Sequence, residues 1–359
     1  MAPTPSDARH PRRVSELGEF GLIERFVSAF RGPPDTEIWS GDDAAVVQLN
    51  DRPVVFTTDA LVEGVDFELR WASGVDVGWK AIAINASDIA AMGARPTHAV
   101  VTLAMPPSTP VAVTDALGEG LKEAAERWGI ALVGGDVSRA SELTVTVAML
   151  GELYAEPVTR RGARAGDVVC VTGELGGAVV GLMALDAGLV GPGPFQGHPL
   201  SPDATEAVIA VAERHLRPLA RVEAARSLTG RVHCMIDVTD GLLADADHLT
   251  RAAAEPCKLS IDMAAIPRHP AVGAVLPLLR RGNAEREGDS GEEQILWGAE
   301  DLELLFTCDL AEIGAIVRAL QPLSVTRIGT VEAAEEESYE TEEQQREEGT
   351  RGWDHLRSP

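Results

Sequence analysis

Five aspartate-bearing segments of this chain are set in apolar or glycine-rich sequence instead of in charged runs. They are Gly41-Asp42-Asp43-Ala44-Ala45, Thr57-Thr58-Asp59, Ala86-Ser87-Asp88, Gly134-Gly135-Asp136 and Asp237-Val238-Thr239-Asp240-Gly241. Carboxylates flanked by Ala, Val, Ile and Leu sit at the edges of buried elements. Taken singly, four of the five segments have a bland reading, such as a cap or a turn; Asp88 does not. Convergence of all five on one site would set like charges against one another and strip their solvation, unless cations offset that cost. The economical reading is a polynuclear Mg2+ site, and Mg2+ in turn points to phosphate chemistry.

Length and composition bound the rest. A chain of 359 residues is long for one domain and comfortable for two. A hydrophobic fraction of 45% is enough for real cores. Every apolar run is interrupted by charges, Gly or Pro before it reaches the length of a membrane span, so no membrane partner is expected. Residues 1–13 are polar, with no apolar stretch of a secretory signal, and read as a flexible leader. Cys170, Cys234, Cys257 and Cys308 are widely spaced and read as reduced core residues of a cytoplasmic protein. A net charge of −25 argues against nucleic acid as a partner, which needs a basic footprint. Part of that charge is local, because 332–348 holds nine Glu and one Arg. Lysine occurs only at Lys80, Lys122 and Lys258.

Periodicity predicts helices over Leu17–Phe30, Val77–Met92, Val113–Trp128, Gly173–Leu185, Ala204–His215, Leu219–Ser227 and Leu242–Ala253. It predicts strands over Val54–Thr58, Ala99–Met105, Ile130–Val133, Leu143–Leu153, Val168–Thr172, Val232–Val238, Leu302–Cys308 and Ser324–Thr330. The 280–294 stretch reads as a polar insertion. Helices and strands alternate, but several strands are amphipathic. The expectation is therefore an α+β fold of two lobes, not a doubly wound parallel sheet. Its units are an N-terminal domain over 14–155, a C-terminal domain over 156–331, and an acidic segment with a Gly-Trp-Asp-His motif over 332–359.

Among the aspartates, Asp88 resists a bland explanation. It falls inside a predicted helix among Ile and Ala, where Asp is unfavourable. Asp42-Asp43 reads equally as a β-turn, Thr57-Thr58-Asp59 as a strand end, and Gly134-Gly135-Asp136 as a tight turn. Asp240 reads as the N-cap or a first-turn residue of the next helix. Gly173-Glu174-Leu175-Gly176-Gly177 could bind phosphate at a helix N-terminus, though the pattern is weak. Arg160-Arg161 could meet nucleotide phosphates, since guanidinium matches phosphate geometry. No segment matches a P-loop or a protein-kinase motif. The eight histidines show neither ligand spacing nor a partnered nucleophile.

The order of motifs resembles a known family. Gly18-Glu-Phe-Gly-Leu-Ile, Gly41-Asp-Asp-Ala-Ala, Thr57-Thr-Asp-Ala-Leu-Val-Glu-Gly-Val-Asp-Phe and Lys80-Ala-Ile-Ala-Ile-Asn-Ala-Ser-Asp-Ile-Ala-Ala-Met-Gly come first. Gly134-Gly-Asp, Arg161-Gly-Ala-Arg-Ala-Gly-Asp, His215-Leu-Arg-Pro, Ile236-Asp-Val-Thr-Asp-Gly-Leu, Ala299-Glu-Asp-Leu-Glu-Leu-Leu-Phe and Gly352-Trp-Asp-His-Leu follow. This series is similar to the thiamine-monophosphate kinases of the aminoimidazole ribonucleotide synthetase superfamily. The resemblance implies a homodimer paired through its N-terminal sheets, binding of ATP and Mg2+ by the 14–155 domain, and ATP-dependent phosphorylation of thiamine phosphate to thiamine diphosphate.

Carried over by motif, Asp43, Thr57, Thr58, Asp59, Asp88, Asp136, Asp237 and Asp240 would hold Mg2+. Gly135, Asp136, Arg160 and Thr239 would bind ATP, and Asp66, Glu300 and Trp353 the thiamine phosphate. Asp88 and Asp240 would be the catalytic pair. Asp66 stands where the family often has His, and Thr239 where it usually has Ser. A cationic thiazolium would suit a carboxylate such as Glu300. Another ATP-dependent enzyme of the superfamily, or a silent Mg- or nucleotide-binding module, is the alternative. Selenophosphate synthesis needs a reactive N-terminal Cys or selenocysteine, and no Cys precedes Cys170.

Overall fold

The computed structural model describes residues 14–28, 32–50, 52–190, 200–282, 298 and 300–334. Trp353, the acidic stretch beyond 334 and residues 283–297, which include most of the 280–294 insertion, lie outside the described residues. The first sheet uses β1 (Ala45–Leu49), β2 (Arg52–Val62), β3 (Ala94–Met105), β4 (Ala131–Arg139) and β5 (Thr144–Leu153). Their order is β1-β2-β5-β3-β4, antiparallel except for the β3–β4 pair. Helices α1 (Val14–Val27), α2 (Gly74–Ala91) and α3 (Val111–Trp128) belong to this half.

The second sheet uses β6 (Val168–Thr172), β7 (Cys234–Asp237), β8 (Cys257–Ile261), β9 (Leu304–Cys308) and β10 (Val325–Ala333). Its order is β7-β9-β6-β10-β8, antiparallel throughout. The helices here are α4 (Gly177–Asp186), α5 (Pro202–Leu216), α6 (Val222–Leu228), α7 (Leu242–Ala252), α8 (Val272–Gly282) and α9 (Ile313–Leu320). Two largely antiparallel sheets with helices form the α+β architecture that the amphipathic strands imply.

Helix α2 is the central helix of the first half. Ser73 and Asp76 form a reciprocal capping box at its start. Its neighbour α3 approaches closely because glycines line the contact. A Cβ on Gly78 would stand 2.3 Å from the Leu117 carbonyl oxygen, and one on Gly120 2.0 Å from that of Val75. Buried Ile82, Ala86 and Ile89 of α2 join Val55, Leu61, Val145, Val147 and Met149 of the sheet in one core. Ala212, Val222 and Ala225 of α5 and α6 enter the same core, while the strands of the second sheet pack into two separate clusters. Among the described residues no helix is long and apolar enough to cross a membrane.

Several boundaries differ from the sequence expectation. Gly134-Gly135-Asp136 is no turn but lies inside β4, paired in parallel with Val100, Val101 and Thr102. Strand β2 runs on past Thr58 to Val62, and β10 runs to Ala333, two residues into the expected acidic segment. Strand β8 and helix α8 were not expected; Arg280 falls in α8 rather than in a loop.

Candidate active site

Alternation along β2 sends Val55, Thr57, Asp59 and Leu61 to the face covered by α2. Helix α2 answers with Asn85 and Asp88, one turn apart. The Thr57 hydroxyl donates to Asp88 Oδ2 at 2.7 Å, and the Asp59 backbone N–H donates to Asn85 Oδ1 at 3.1 Å. Two further segments close on this point. The Gly41–Ala44 loop brings Asp43, and β7 ends on Asp237, which is 2% exposed. Carboxylate oxygens of Asp43, Asp88 and Asp237 lie within 4.8 Å of one another.

The energetics of this cluster are unfavourable for bare carboxylates. Burial, then the charges of Asp59, Asp237 and Asp43, push the Asp88 carboxyl well above its usual range. Burial and Asp43 do the same to Asp237, although the nearby Ser87 hydroxyl and Arg160 oppose the shift. Asp237 Oδ2 is buried without a hydrogen-bond partner among the described residues. Arg160, on a short 3₁₀ turn at Arg160–Gly162, pairs with Asp43 at 2.8 Å. Its backbone N–H donates to Asp42 at 3.1 Å. Burial and Asp43 still raise Asp42 to about 7. An oxygen-only donor set with an orphaned buried oxygen fits a hard divalent cation.

The Asp237–Gly241 loop has an organiser that sequence reasoning missed. Asp245, on the first turn of α7, accepts the backbone N–H groups of Thr239 at 3.1 Å and Asp240 at 3.2 Å. Its carboxyl is raised well above the usual range by burial, then by Asp240, Asp237 and Asp43. The helix is capped at Gly241, at φ 109°, with no side-chain cap bond. Asp240 is therefore not the N-cap; it groups with Asp245 and His248. The available signal was a carboxylate on the apolar side of a helix, as at Asp88.

The expected residues do not all converge. Thr58 sits on the opposite face of β2, where its hydroxyl donates to the Val147 carbonyl at 2.9 Å. Register carries that outer face across the sheet, from Ala60 through Thr146 and Thr102 to Asp136. Asp136 thus lies three strands from Ala60, about 14 Å along the sheet. Gly135 neighbours it under a steric demand, since a Cβ there would meet the Val101 carbonyl oxygen at 1.9 Å. The proposed phosphate site at the start of α4 is filled from within the chain: Asp301 accepts from Gly176 N at 2.6 Å and Ala178 N at 3.1 Å.

A second polar group lies around Glu300. Lys80 of α2 pairs with it at 2.6 Å and also donates to the Asp66 carbonyl at 3.1 Å. His215 Nδ1 lies 3.2 Å from Glu300 Oε2. Asp66 turns its carboxylate back to Val62 N at 2.8 Å, so here it closes a turn. The Thr239 carbonyl accepts the Glu300 N–H at 2.9 Å, which joins this group to the aspartate loop. Lys80 was the readable clue, as one of three lysines in the chain and placed inside an apolar helix.

Comparison with known proteins agrees with this geometry. Residues 41–153 match the family model for the AIR synthase related protein, N-terminal domain. The chain is 38% identical over 268 residues to the thiamine-monophosphate kinase of Mycobacterium tuberculosis, covering 74% of this chain and 75% of that one. It is 33% identical over 315 residues to the thiamine-monophosphate kinase of Aquifex aeolicus, covering 85% and 93%. It is also similar to the solved structure of AaThiL complexed with AMPPCP and TMP, at 31% identity and a TM-score of 0.76, covering 97% of this chain and all of that one. The chain belongs to the thiamine-monophosphate kinase family.

Proposed function

We propose that this protein transfers the γ-phosphoryl group of ATP to thiamine phosphate, giving thiamine diphosphate and ADP. The observation that carries the reading is the buried triad of Asp43, Asp88 and Asp237, with its orphaned oxygen. Such a set is costly unless divalent cations occupy it. Family membership supplies the substrates, and AaThiL has been solved with AMPPCP and TMP.

Asp43, Asp59, Asp88, Asp237 and Asp240, with the Thr57 hydroxyl, would hold the Mg2+. Cations held there would supply positive charge to offset the negative charge of the two phosphate-bearing substrates. Arg160 would meet the nucleotide phosphates from beside Asp43, and Thr239 would contact ATP from the Asp237 loop. Glu300, and Trp353 if it returns to the site, would face the thiamine phosphate. The acceptor is already an anion, so an oxygen of its phosphate attacks the γ phosphorus without a base. The bond from that phosphorus to the β–γ bridging oxygen breaks, and ADP leaves with the electron pair. Asp88 and Asp240 act by positioning and charge.

The working unit in this proposal is a homodimer of chains built from 14–155 and 156–331. The outer face of the first sheet exposes Phe56 and Val100, and β4 is the edge strand of that sheet among the described residues. Pairing there would cover that face and set Thr58, Gly135 and Asp136 at the seam. ADP release is the test, with ATP, Mg2+ and a panel of phosphate acceptors. Release with thiamine phosphate alone is expected. Release with an unrelated acceptor, or none at all, rejects the reading.

A further inference from the structure

Lys80 lies eight residues before Asp88 on the same helix, about 12 Å along its axis. It is 3% exposed, and its ammonium reaches both oxygens of Glu300, at 2.6 and 2.8 Å. His215 is equally buried and meets Glu300 Oε2 through Nδ1. Burial, and then the charge of Lys80, push the His215 imidazole well below its ordinary range, so it is neutral. A neutral imidazole that faces a carboxylate through Nδ1 carries its proton there. Its Nε2 is buried without a partner among the described residues, as is Nε1 of Trp71, whose ring meets His215 edge-on at 5.4 Å. Glu300 itself is held at φ 75°, a strained conformation for a residue with a Cβ. Of the three groups, only Glu300, at 24% side-chain exposure, opens toward solvent.

Two counts follow from these contacts. One carboxylate, one ammonium and a neutral imidazole sum to zero charge. A carboxylate offers about four acceptor positions, and Lys80 and His215 take three. What remains is one acceptor position with no net charge behind it. That suits a neutral N–H donor and gives no attraction to a cation. We propose that Lys80 is a specificity-determining residue: by neutralising Glu300 it makes the acceptor pocket recognise the amino group of the aminopyrimidine, not the thiazolium charge. It also mounts that contact on the helix that carries Asp88. This rests on reading Glu300 as a contact of thiamine phosphate, and it replaces the expectation that Glu300 serves as a counter-ion.

The test compares thiamine phosphate with oxythiamine phosphate, in which an oxo group replaces the amino donor. The wild-type chain should favour thiamine phosphate by about 100-fold or more in kcat/KM. Lys80→Met should raise KM for thiamine phosphate about tenfold or more. The same change should leave KM for ATP within about twofold and cut the preference below about tenfold. Lys80→Arg should keep most of the preference. A wild-type preference under about tenfold overturns the proposal without any variant. So does Lys80→Met with unchanged KM and preference, or with both KM values rising together. Absence of ADP release from wild type with thiamine phosphate is a different result, and overturns the activity itself.

Discussion

Glu300, Asp301 and Glu303 fall within four residues of chain, and each carboxylate is met by groups of the protein itself. Glu300 has Lys80 and His215. Asp301 receives two backbone N–H groups at the start of α4, so burial lifts it only to about 6. Glu303 is fully buried, yet Arg214 reaches it at 3.1 Å, Arg221 Nε at 2.6 Å and the Thr172 hydroxyl at 2.7 Å. Asp43, Asp88 and Asp237 come from three distant parts of the chain and crowd within 4.8 Å, with Arg160 against Asp43. The first group is a finished electrostatic structure. In the second, like charges are crowded and buried with Arg160 as the cation paired to Asp43. Residue type is the same in both; what differs is whether the fold supplies the partner. In the proposed reading, that difference separates Asp301 and Glu303, which hold the protein together, and Glu300, which keeps one acceptor position for a neutral donor, from carboxylates that would hold a cation.

Neutralising one member of each group should therefore act in opposite directions. Asp88→Asn removes a proposed cation ligand and should lower kcat by about 1000-fold or more. In metal-free buffer the same variant should be about 1 kcal/mol more stable, because a buried like-charge contact is relieved. Retained turnover, or a loss of stability, breaks the comparison. Glu303→Gln should cost about 3–5 kcal/mol in chemical denaturation, because it leaves Arg214 and Arg221 without their buried anion. A cost under about 1 kcal/mol would place Glu303 among ordinary surface ion pairs.

How far the sequence speaks can be judged from these residues. Asp88 was legible because local rules forbid it: a helix interior among Ile and Ala disfavours Asp, so a distant partner was required. Strand β4 was legible only as far as Val133, because beyond it local rules misled. Gly134-Gly135 signals a turn, but in the sheet the Gly135 hydrogen is demanded by the Val101 carbonyl, a contact across sequence. Thr57-Thr58-Asp59 promised three ligands at a strand end. The strand continues, so its two-residue period sends Thr58 to the far face. The roles of Lys80 and Asp245 depend on Glu300 and on the Thr239 and Asp240 N–H groups, which tertiary packing alone brings near. Trp353 lies beyond the described residues.

The comparison can be sharpened through pH. Asp42, Asp88, Asp237 and Asp245 all hold protons more tightly in the folded protein than in the unfolded chain, Asp42 at about 7. Their contribution to stability is full below about pH 4 and is lost as pH rises through the folded values. His215 and His248, the latter lowered to about 4 by burial and Arg160, act in the opposite direction and favour higher pH. Absolute stability thus mixes the two sets, but the increment produced by Mg2+ isolates the carboxylates. A cation takes the place of their protons, so it binds better where the protons are already leaving. At about 100 times its Kd, Mg2+ adds about 2.7 kcal/mol, or about 4 °C in Tm for a chain of this length. Thermal unfolding with Mg2+ and with a chelator should show that shift at pH 7.5 and a smaller one at pH 5.5. Equal shifts at the two pH values would mean that the carboxylates are not the binding groups. A full shift retained by Asp88→Asn would move the cation away from this cluster, to a site where Asp88 has no part.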